Sequence, residues 1–275
     1  MLLCFDIGNT NIKAALFDNE KIAYTWRVST DTKRTSDEYF SIIKTLIHDA
    51  PVHFSQIDAA VISSVIPNLT GPFVNVTQRI INKKPLIVGP DMYNTLPLKI
   101  PATAVHEIGT DLLCDALEAW ERYKCACIVA DFGTALSFTV VDARANIAGV
   151  AIAPGIGTAF KSLFMNTAQL PSVPLEIPPT SLGTNTTIAI QSGIVLGYKS
   201  LVEGLIAQMK RDLEKETGIA PENVKTIATG GLNSMLKPVT DTFDEIDKEL
   251  TLYGLYRASL YAKNNKETPI NPNAS

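Results

Sequence analysis

The 275-residue chain has no Gly-x-x-x-x-Gly-Lys-[Ser/Thr] run, which excludes a P-loop nucleotide site. Its glycine-rich pieces, Gly155-Ile156-Gly157 and Gly230-Gly231, lack the third glycine and strand–helix setting of a dinucleotide fingerprint. No Gly-x-Ser-x-Gly occurs, and His48, His53 and His106 are scattered, so no serine-hydrolase triad is outlined. Apolar runs fall short of the ~18–20 residues of a membrane span, and the N-terminus lacks the basic-then-apolar layout of a signal peptide. A formal net charge of −4 gives no basic footprint for nucleic acid or anionic lipid. Cysteines are few: Cys4, Cys114, Cys125 and Cys127. Strand alternation would put Cys125 and Cys127 on one face, but no nearby His or Cys completes a zinc site. All four read as small buried hydrophobes in a reducing compartment, and a cytoplasmic protein is expected.

The chain is 46% apolar and 19% charged, the balance of a folded chain rather than a disordered one. At this length folding buries about 70–75% of the unfolded surface, and about 100–200 residues per domain allows two domains. Met1–Phe5 reads as a strand running into Asp6-Ile7-Gly8-Asn9-Thr10-Asn11, and Ile12–Phe17 returns as its hairpin partner. Lys21–Val28 extends the meander. Ser36–Ala50 has helical spacing, with Tyr39, Phe40, Ile43, Leu46 and Ile47 on one side. Ile57–Val65 reads as a buried strand stopped by Pro67, 68–81 as a helix, and Pro85–Val88 as a short strand.

The pattern then recurs. Cys125–Ala130 leads into Asp131-Phe132-Gly133-Thr134-Ala135, and Leu136–Val141 follows as a strand. The repeat of strand, Asp-x-Gly and strand half a chain later predicts two domains of related build. Ile147–Ala153 reads as a strand, Thr158–Thr167 as a helix, and Leu170–Leu182, with four prolines, as an extended loop. Thr186–Lys215 has the pattern of a long helical stretch in one or two pieces. Val224–Ala228 reads as a strand, 232–236 as helix-like, Asp247–Ala262 as a terminal helix and 263–275 as a poorly ordered tail.

Each Asp-x-Gly turn exposes backbone N–H groups where glycine lets a phosphate approach without a Cβ in the way. Thr10, Asn11 and Thr134 add neutral donors, Lys13 adds positive charge, and an aspartate at each strand end can serve Mg²⁺ and its waters. Such turns are also ordinary hairpin chemistry. Their recurrence in matching strand contexts is what points to phosphate. Gly109-Thr110-Asp111 opens an amphipathic helix, with Thr110 as its N-cap. Asp111 there either complements the helix dipole, worth about 0.3–1 kcal/mol, or acts as general base toward a hydroxyl. Thr229-Gly230-Gly231 offers either a flat backbone for an adenosine ring or a plain strand-to-helix turn.

Taken in order, these motifs resemble those of type III pantothenate kinases, of the acetate kinase/sugar kinase/Hsp70/actin superfamily. The resembling segments are Asp6-Ile7-Gly8-Asn9-Thr10-Asn11-Ile12-Lys13, Ser63-Ser64-Val65-Ile66-Pro67, Gly109-Thr110-Asp111 and Asp131-Phe132-Gly133-Thr134-Ala135. Ala151–Gly155, Leu170-Pro171, Gly183–Thr186 with Gln191–Gly193, Thr229–Gly231 and Leu250–Leu255 complete the series, so the likeness spans residues 1 to 257.

The resemblance implies an α/β fold of two ribonuclease H-like (actin-like ATPase) domains, mixed β-sheets flanked by helices, with a cleft between them. The domains would be 1–118 and 119–262. It implies transfer of the ATP γ-phosphoryl group to the primary hydroxyl of pantothenate, the first step of coenzyme A synthesis. Asp6 through Lys13, Thr134, Gly230 and Gly231 would bind ATP, with Asp6 near Mg²⁺, directly or through water. Asp111 would be the base, and Gly109, Thr110, Asp111, Leu112 and Thr186 would contact pantothenate. Asp131 would bind the monovalent cation, K⁺ or NH₄⁺. A homodimer with its site near the interface is implied as well. Leu112 departs from the family's usual arginine and cannot supply a charge-assisted contact; His106 is a candidate to supply that charge or a plain surface residue. Two other readings use the same residues: a non-catalytic nucleotide-binding partner, or a kinase for another small hydroxy or carboxy compound.

Overall fold

The computed structural model describes residues 1–167, 170–231 and 237–267. The chain divides into two compact units: Met1–Glu118 with the helix that begins at Leu250, and Ala119–Glu249. The helix-like 232–236 and the tail from 268 onward lie outside the described residues.

The first unit starts with a meander, β1 (Leu2–Ile7), β2 (Asn11–Asp18) and β3 (Lys21–Ser29). α1 (Ser36–His48) and α2 (Pro67–Ile81) flank β4 (Ala59–Ser64), and the short β5 (Leu86–Ile87) and α3 (Pro90–Tyr93) follow. The sheet order is β3-β2-β1-β4-β5, antiparallel through the meander and parallel from β1 to β4 to β5. Parallel neighbours need crossovers, and α1 and α2 supply them. Leu3, Phe5 and Ile7 of β1 pack with Ile12, Ala14 and Leu16 of β2 against Tyr39, Ile43 and Ile47 of α1 and Phe73 and Val76 of α2.

Local chemistry sets the helix limits. Thr35 and Glu38 form a capping box, the Thr35 N–H donating to Glu38 Oε2 at 2.7 Å and the Glu38 N–H to Thr35 Oγ1 at 3.3 Å. Pro67 both stops β4 and starts α2, because its missing N–H is unused in a first helical turn. Asn82, at φ 53°, closes α2 in the left-handed conformation. α4 (Thr110–Tyr123) carries the chain onward past Glu118.

The second unit repeats the plan with β6 (Cys127–Phe132), β7 (Ala135–Val141) and β8 (Ile147–Pro154). α5 (Ile156–Met165), α6 (Thr186–Gln191), a π-helical turn (Ser192–Leu196) and α7 (Gly197–Thr217) precede β9 (Lys225–Gly230) and β10 (Glu245–Ile246). The sheet order, β10-β9-β6-β7-β8, is that of the first with the same parallel and antiparallel pairings, as the internal repeat predicts. Its core joins Ile128, Ala130 and Phe132 of β6 and Leu136 and Phe138 of β7 to Ile156, Val202 and Ile206. The helical stretch from Thr186 is interrupted by the π turn, which Gly193 and Gly197 accompany. β6 begins at Cys127, after a bend at Lys124 (φ 50°), so strand alternation does not govern Cys125. All four cysteines are free thiols.

α8 (Leu250–Glu267) corrects two expectations. It runs five residues past the expected Ala262, so residues 263–267 are helix rather than tail. It also belongs to the first unit, not to a second domain ending at 262. There Tyr256 stacks on Phe17 with ring centroids 4.9 Å apart, and Arg257 Nε donates to the buried Glu118 at 3.1 Å. The contact with α4 is close enough to require glycine: a Cβ on Gly254 would lie 2.0 Å from the Cys114 carbonyl oxygen.

Gly254→Ala must therefore push α8 off α4, with an expected loss of about 1–3 kcal/mol, read as a lower urea midpoint. An unchanged midpoint would show that this helix pair has slack.

Candidate active site

Asp6 stands one residue from the end of β1, in register with Lys13 on β2 and Ser63 on β4. Beyond it the turn is held by backbone: the Gly8 N–H donates to Asn11 O at 3.1 Å and the Thr30 N–H to Thr10 O at 3.0 Å. The Thr30 hydroxyl donates to Gly8 O at 2.6 Å, so the residue just past β3 fastens the turn. Asn9 and Thr10 are exposed, while Ile7 and Ile12 are fully buried. Of the eight residues expected at phosphate, those two aim their side chains into the core and offer a ligand only backbone.

α4 opens beside this turn. Its first i to i−4 bond runs from the Leu113 N–H to Gly109 O at 3.1 Å, which makes Gly109 rather than Thr110 the N-cap residue. Thr110 is used otherwise: its hydroxyl meets that of the fully buried Ser63 at 2.7 Å, tying α4 to the strand next to Asp6. Asp111 lies in the first turn as expected, and its Oδ1 accepts the Leu112 N–H at 2.9 Å. A Cβ on Gly109 would fall 2.5 Å from that same oxygen, so only glycine leaves the carboxylate its place.

Burial pushes the Asp111 carboxyl above the ordinary aspartate range; the Leu112 and Asp111 N–H groups and then Lys13 pull the other way without cancelling it. Asp6 and Asp111 both stand close enough to raise the Cys114 thiol, after burial and Asp115. Leu112 is half-buried and His106 is exposed.

In the second unit Asp131 occupies the corresponding place, in register with Ser137 on β7 and Thr229 on β9. The Gly133 N–H donates to Ala135 O at 3.0 Å, matching the Gly8 bond, and the Gly155 N–H to Thr134 O at 3.0 Å, matching Thr30. The Thr158 hydroxyl also donates to Thr134 O, at 2.8 Å. Thr134 itself is exposed. Gly230 has φ +89°, and a Cβ there would lie 2.4 Å from Asp131 Oδ1. The Gly230 backbone thus packs directly against the carboxylate. The Thr229 hydroxyl, fully buried on the neighbouring strand, has no hydrogen-bond partner. One carboxylate, an unsatisfied hydroxyl and nearby carbonyls are a donor set that fits a singly charged cation. Among the described residues no group of three His, Cys, Asp or Glu side chains could hold a metal ion by itself.

Thr186 is exposed at the start of α6, whose Asn185 side chain caps the Ile188 N–H at 2.9 Å. It borders a pocket of about 690 Å³ lined by Leu163, Leu170, Gly183, Thr184, Asn185, Ala189, Ile190, Gly193 and Ile194. Periodicity missed this pocket, because it depends on the π turn that presents Gly193 and Ile194. The available signal was the pair of glycines inside a helical pattern, a frequent accompaniment of such turns at functional sites.

Two sheets of one strand order, each with an aspartate at the end of its central strand and a glycine turn beyond it, define a protein of the actin-like ATPase and sugar kinase fold. The chain is similar to MreB 5 of Spiroplasma citri bound to AMPPNP, with a TM-score of 0.55 at 9% identity, covering 97% of this chain and 98% of that one. It is also similar to a Baf family protein from Campylobacter jejuni, with a TM-score of 0.56 at 16% identity, covering 95% and 99%. At these identities the likeness shows the fold. The family itself comes from sequence: residues 2–208 match the model of the type III pantothenate kinases. A type III pantothenate kinase of Geotalea uraniireducens (strain Rf4) is 38% identical over 266 residues, 97% of this chain and 100% of that relative. Another, from Thermomicrobium roseum, is 40% identical over 258 residues, 94% and 96% of the two chains. The chain belongs to the type III pantothenate kinase family.

The raised Asp111 carboxyl has a consequence for stability. Folding favours its protonated form, so the stabilisation is complete below the unfolded-state value and is lost as pH rises through the higher folded value. Asp111→Asn is therefore expected to raise Tm at pH 8, with a gain that shrinks toward pH 4. Identical melting curves for the two proteins at pH 8 would show that the carboxylate is well solvated.

Proposed function

We propose that this chain transfers the γ-phosphoryl group of ATP to the primary hydroxyl of pantothenate, forming 4′-phosphopantothenate at the entry to coenzyme A synthesis. The observation that carries this reading is Asp111: a carboxylate on a rigid helix start, made more basic by burial, with Lys13 within electrostatic reach. An unassisted primary hydroxyl is a weak nucleophile, and a base with a raised pKa takes its proton more readily. Gly109, Thr110, Leu112 and Thr186 bind the acceptor, and Asp111 orients its hydroxyl.

Asp6 through Lys13 and Thr134 bind the ATP phosphates, through the N–H groups and hydroxyls of the two turns and the Lys13 ammonium. Gly230 and Gly231 accept the adenosine side of the nucleotide. Bound Mg²⁺, associated with Asp6, supplies charge neutralisation at the phosphates, and a monovalent cation (K⁺ or NH₄⁺) at Asp131 adds to it. Phosphoryl transfer asks mainly for positioning and charge neutralisation, which this set of groups can provide. We also infer a cytoplasmic homodimer with its site near the interface. Met165, Ile177 and Leu182 of the second unit are exposed apolar side chains available to a second copy, and among the described residues no helix is long and apolar enough to cross a membrane.

The deciding assay is ADP release with ATP, Mg²⁺ and K⁺, with and without pantothenate, repeated with Na⁺ in place of K⁺. Turnover that needs both pantothenate and K⁺ is expected. ATP binding without turnover would favour a non-catalytic partner, and turnover on another acceptor alone a different kinase. Asp111→Asn should lower kcat by ~10²–10⁴ while leaving ATP affinity nearly unchanged. In the wild type, kcat/KM should fall as pH drops through the raised pKa of Asp111, at a higher pH than an ordinary aspartate would give. Near wild-type turnover by the asparagine variant would remove Asp111 from the role of base.

A further inference from the structure

Thr229 presents a physical problem. Its side chain is fully buried, and its Oγ1 is the one buried side-chain hydroxyl without a hydrogen-bond partner among the described residues. A hydroxyl taken from water and left unsatisfied is destabilising, and valine would fill the same strand position without that penalty. The fold does not force the loss. In the first unit the hydroxyl at the corresponding register position, Ser63 Oγ, is engaged by Thr110 Oγ1 at 2.7 Å.

The surroundings of Thr229 point to what engages it. Asp131 is its register partner on β6, and paired residues on adjacent strands project to one face of the sheet. Gly230 follows at φ +89°, with room for no Cβ beside Asp131 Oδ1, and a Cβ on Gly133 would lie 3.7 Å from Oδ2. The result is one carboxylate packed against Gly230, with one dry, neutral oxygen at the paired position of the neighbouring strand. Mg²⁺ holds its waters and demands octahedral geometry, so it is poorly served by a hydroxyl shut off from solvent. A weakly hydrated monovalent cation exchanges water for neutral protein oxygens much more readily.

We propose that Thr229 Oγ1 is a ligand of the monovalent cation at Asp131, and that its shielding from water makes the site prefer K⁺ over Na⁺. The proposal rests on the assignment of a cation to Asp131. Its test is binding-linked thermal stability of the whole protein at fixed Mg·ADP, titrated with KCl or NaCl at constant ionic strength. Wild type is expected to be stabilised at lower K⁺ than Na⁺ concentrations. Thr229→Val should raise the K⁺ midpoint by ~10-fold or more, the scale of a single lost polar contact, while its Tm without K⁺ equals or exceeds that of wild type. Thr229→Ser, which restores the hydroxyl, should return the midpoint to near the wild-type value, and Thr229→Ala serves if valine is not accommodated. A wild-type K⁺ response kept intact in the valine and alanine variants would overturn the role of Thr229 and leave the Asp131 site standing. A wild type that turns over pantothenate yet shows no preference for K⁺ would overturn both.

Discussion

In each sheet the central strand is hydrogen-bonded to an antiparallel partner on one side and a parallel partner on the other, and this double pairing determines the face on which its aspartate stands. β1 brings Asp6 level with Lys13 and Ser63; β6 brings Asp131 level with Ser137 and Thr229. A slip of one residue would reverse every side chain, turning the aspartates into the cores and exposing Phe5 or Phe132. Register is held because the residues on either side of each aspartate, Phe5 and Ile7 in one strand and Ala130 and Phe132 in the other, are buried hydrophobes. Apolar packing in the sheet thus sets the position of groups that are themselves polar.

In each unit the strand and helix ends that carry the candidate residues are where the chain departs from what stability alone would select. Asp111 is held partly out of water, which raises its affinity for a proton. Thr229 keeps a hydroxyl with no partner. Gly109 and Gly230 give up side chains so that carboxylates can occupy the space. Each of these residues sits at a strand or helix end, where the elements of its unit leave off. The surrounding elements are conventional: a capping box before α1, proline at the start of α2, and left-handed residues closing α2 and α7.

The two units resemble one another closely enough for their differences to be informative. The first turn has three residues between its strands and the second has two. Lys13 in one corresponds in register to Ser137 in the other, so the first turn carries the ammonium and the second does not. Ser63 is used to anchor α4, whereas Thr229 has no such partner. A shared plan therefore serves two chemical environments, one that pairs its aspartate with an ammonium, the other with an aspartate and a buried hydroxyl on the neighbouring strand.

Much of this was legible in the residues. Alternation and turn chemistry located the strands, because a hairpin with Asp-x-Gly at its tip needs only local information. The recurrence of that unit predicted the repeated sheet, and the order of motifs pointed to the family. Boundaries set by distant contacts were not legible. α8 reads as a terminal helix of the second half, yet its Tyr256 and Arg257 find Phe17 and Glu118 in the first unit, and no local pattern records that choice. Thr110 reads as an N-cap, but Ser63, far away in sequence, takes its hydroxyl. Local sequence determined the elements, the turns and the identity of the chemical groups. Only tertiary structure decided which groups lose water and which find partners, because desolvation and hydrogen bonding depend on neighbours that the chain brings together when it folds.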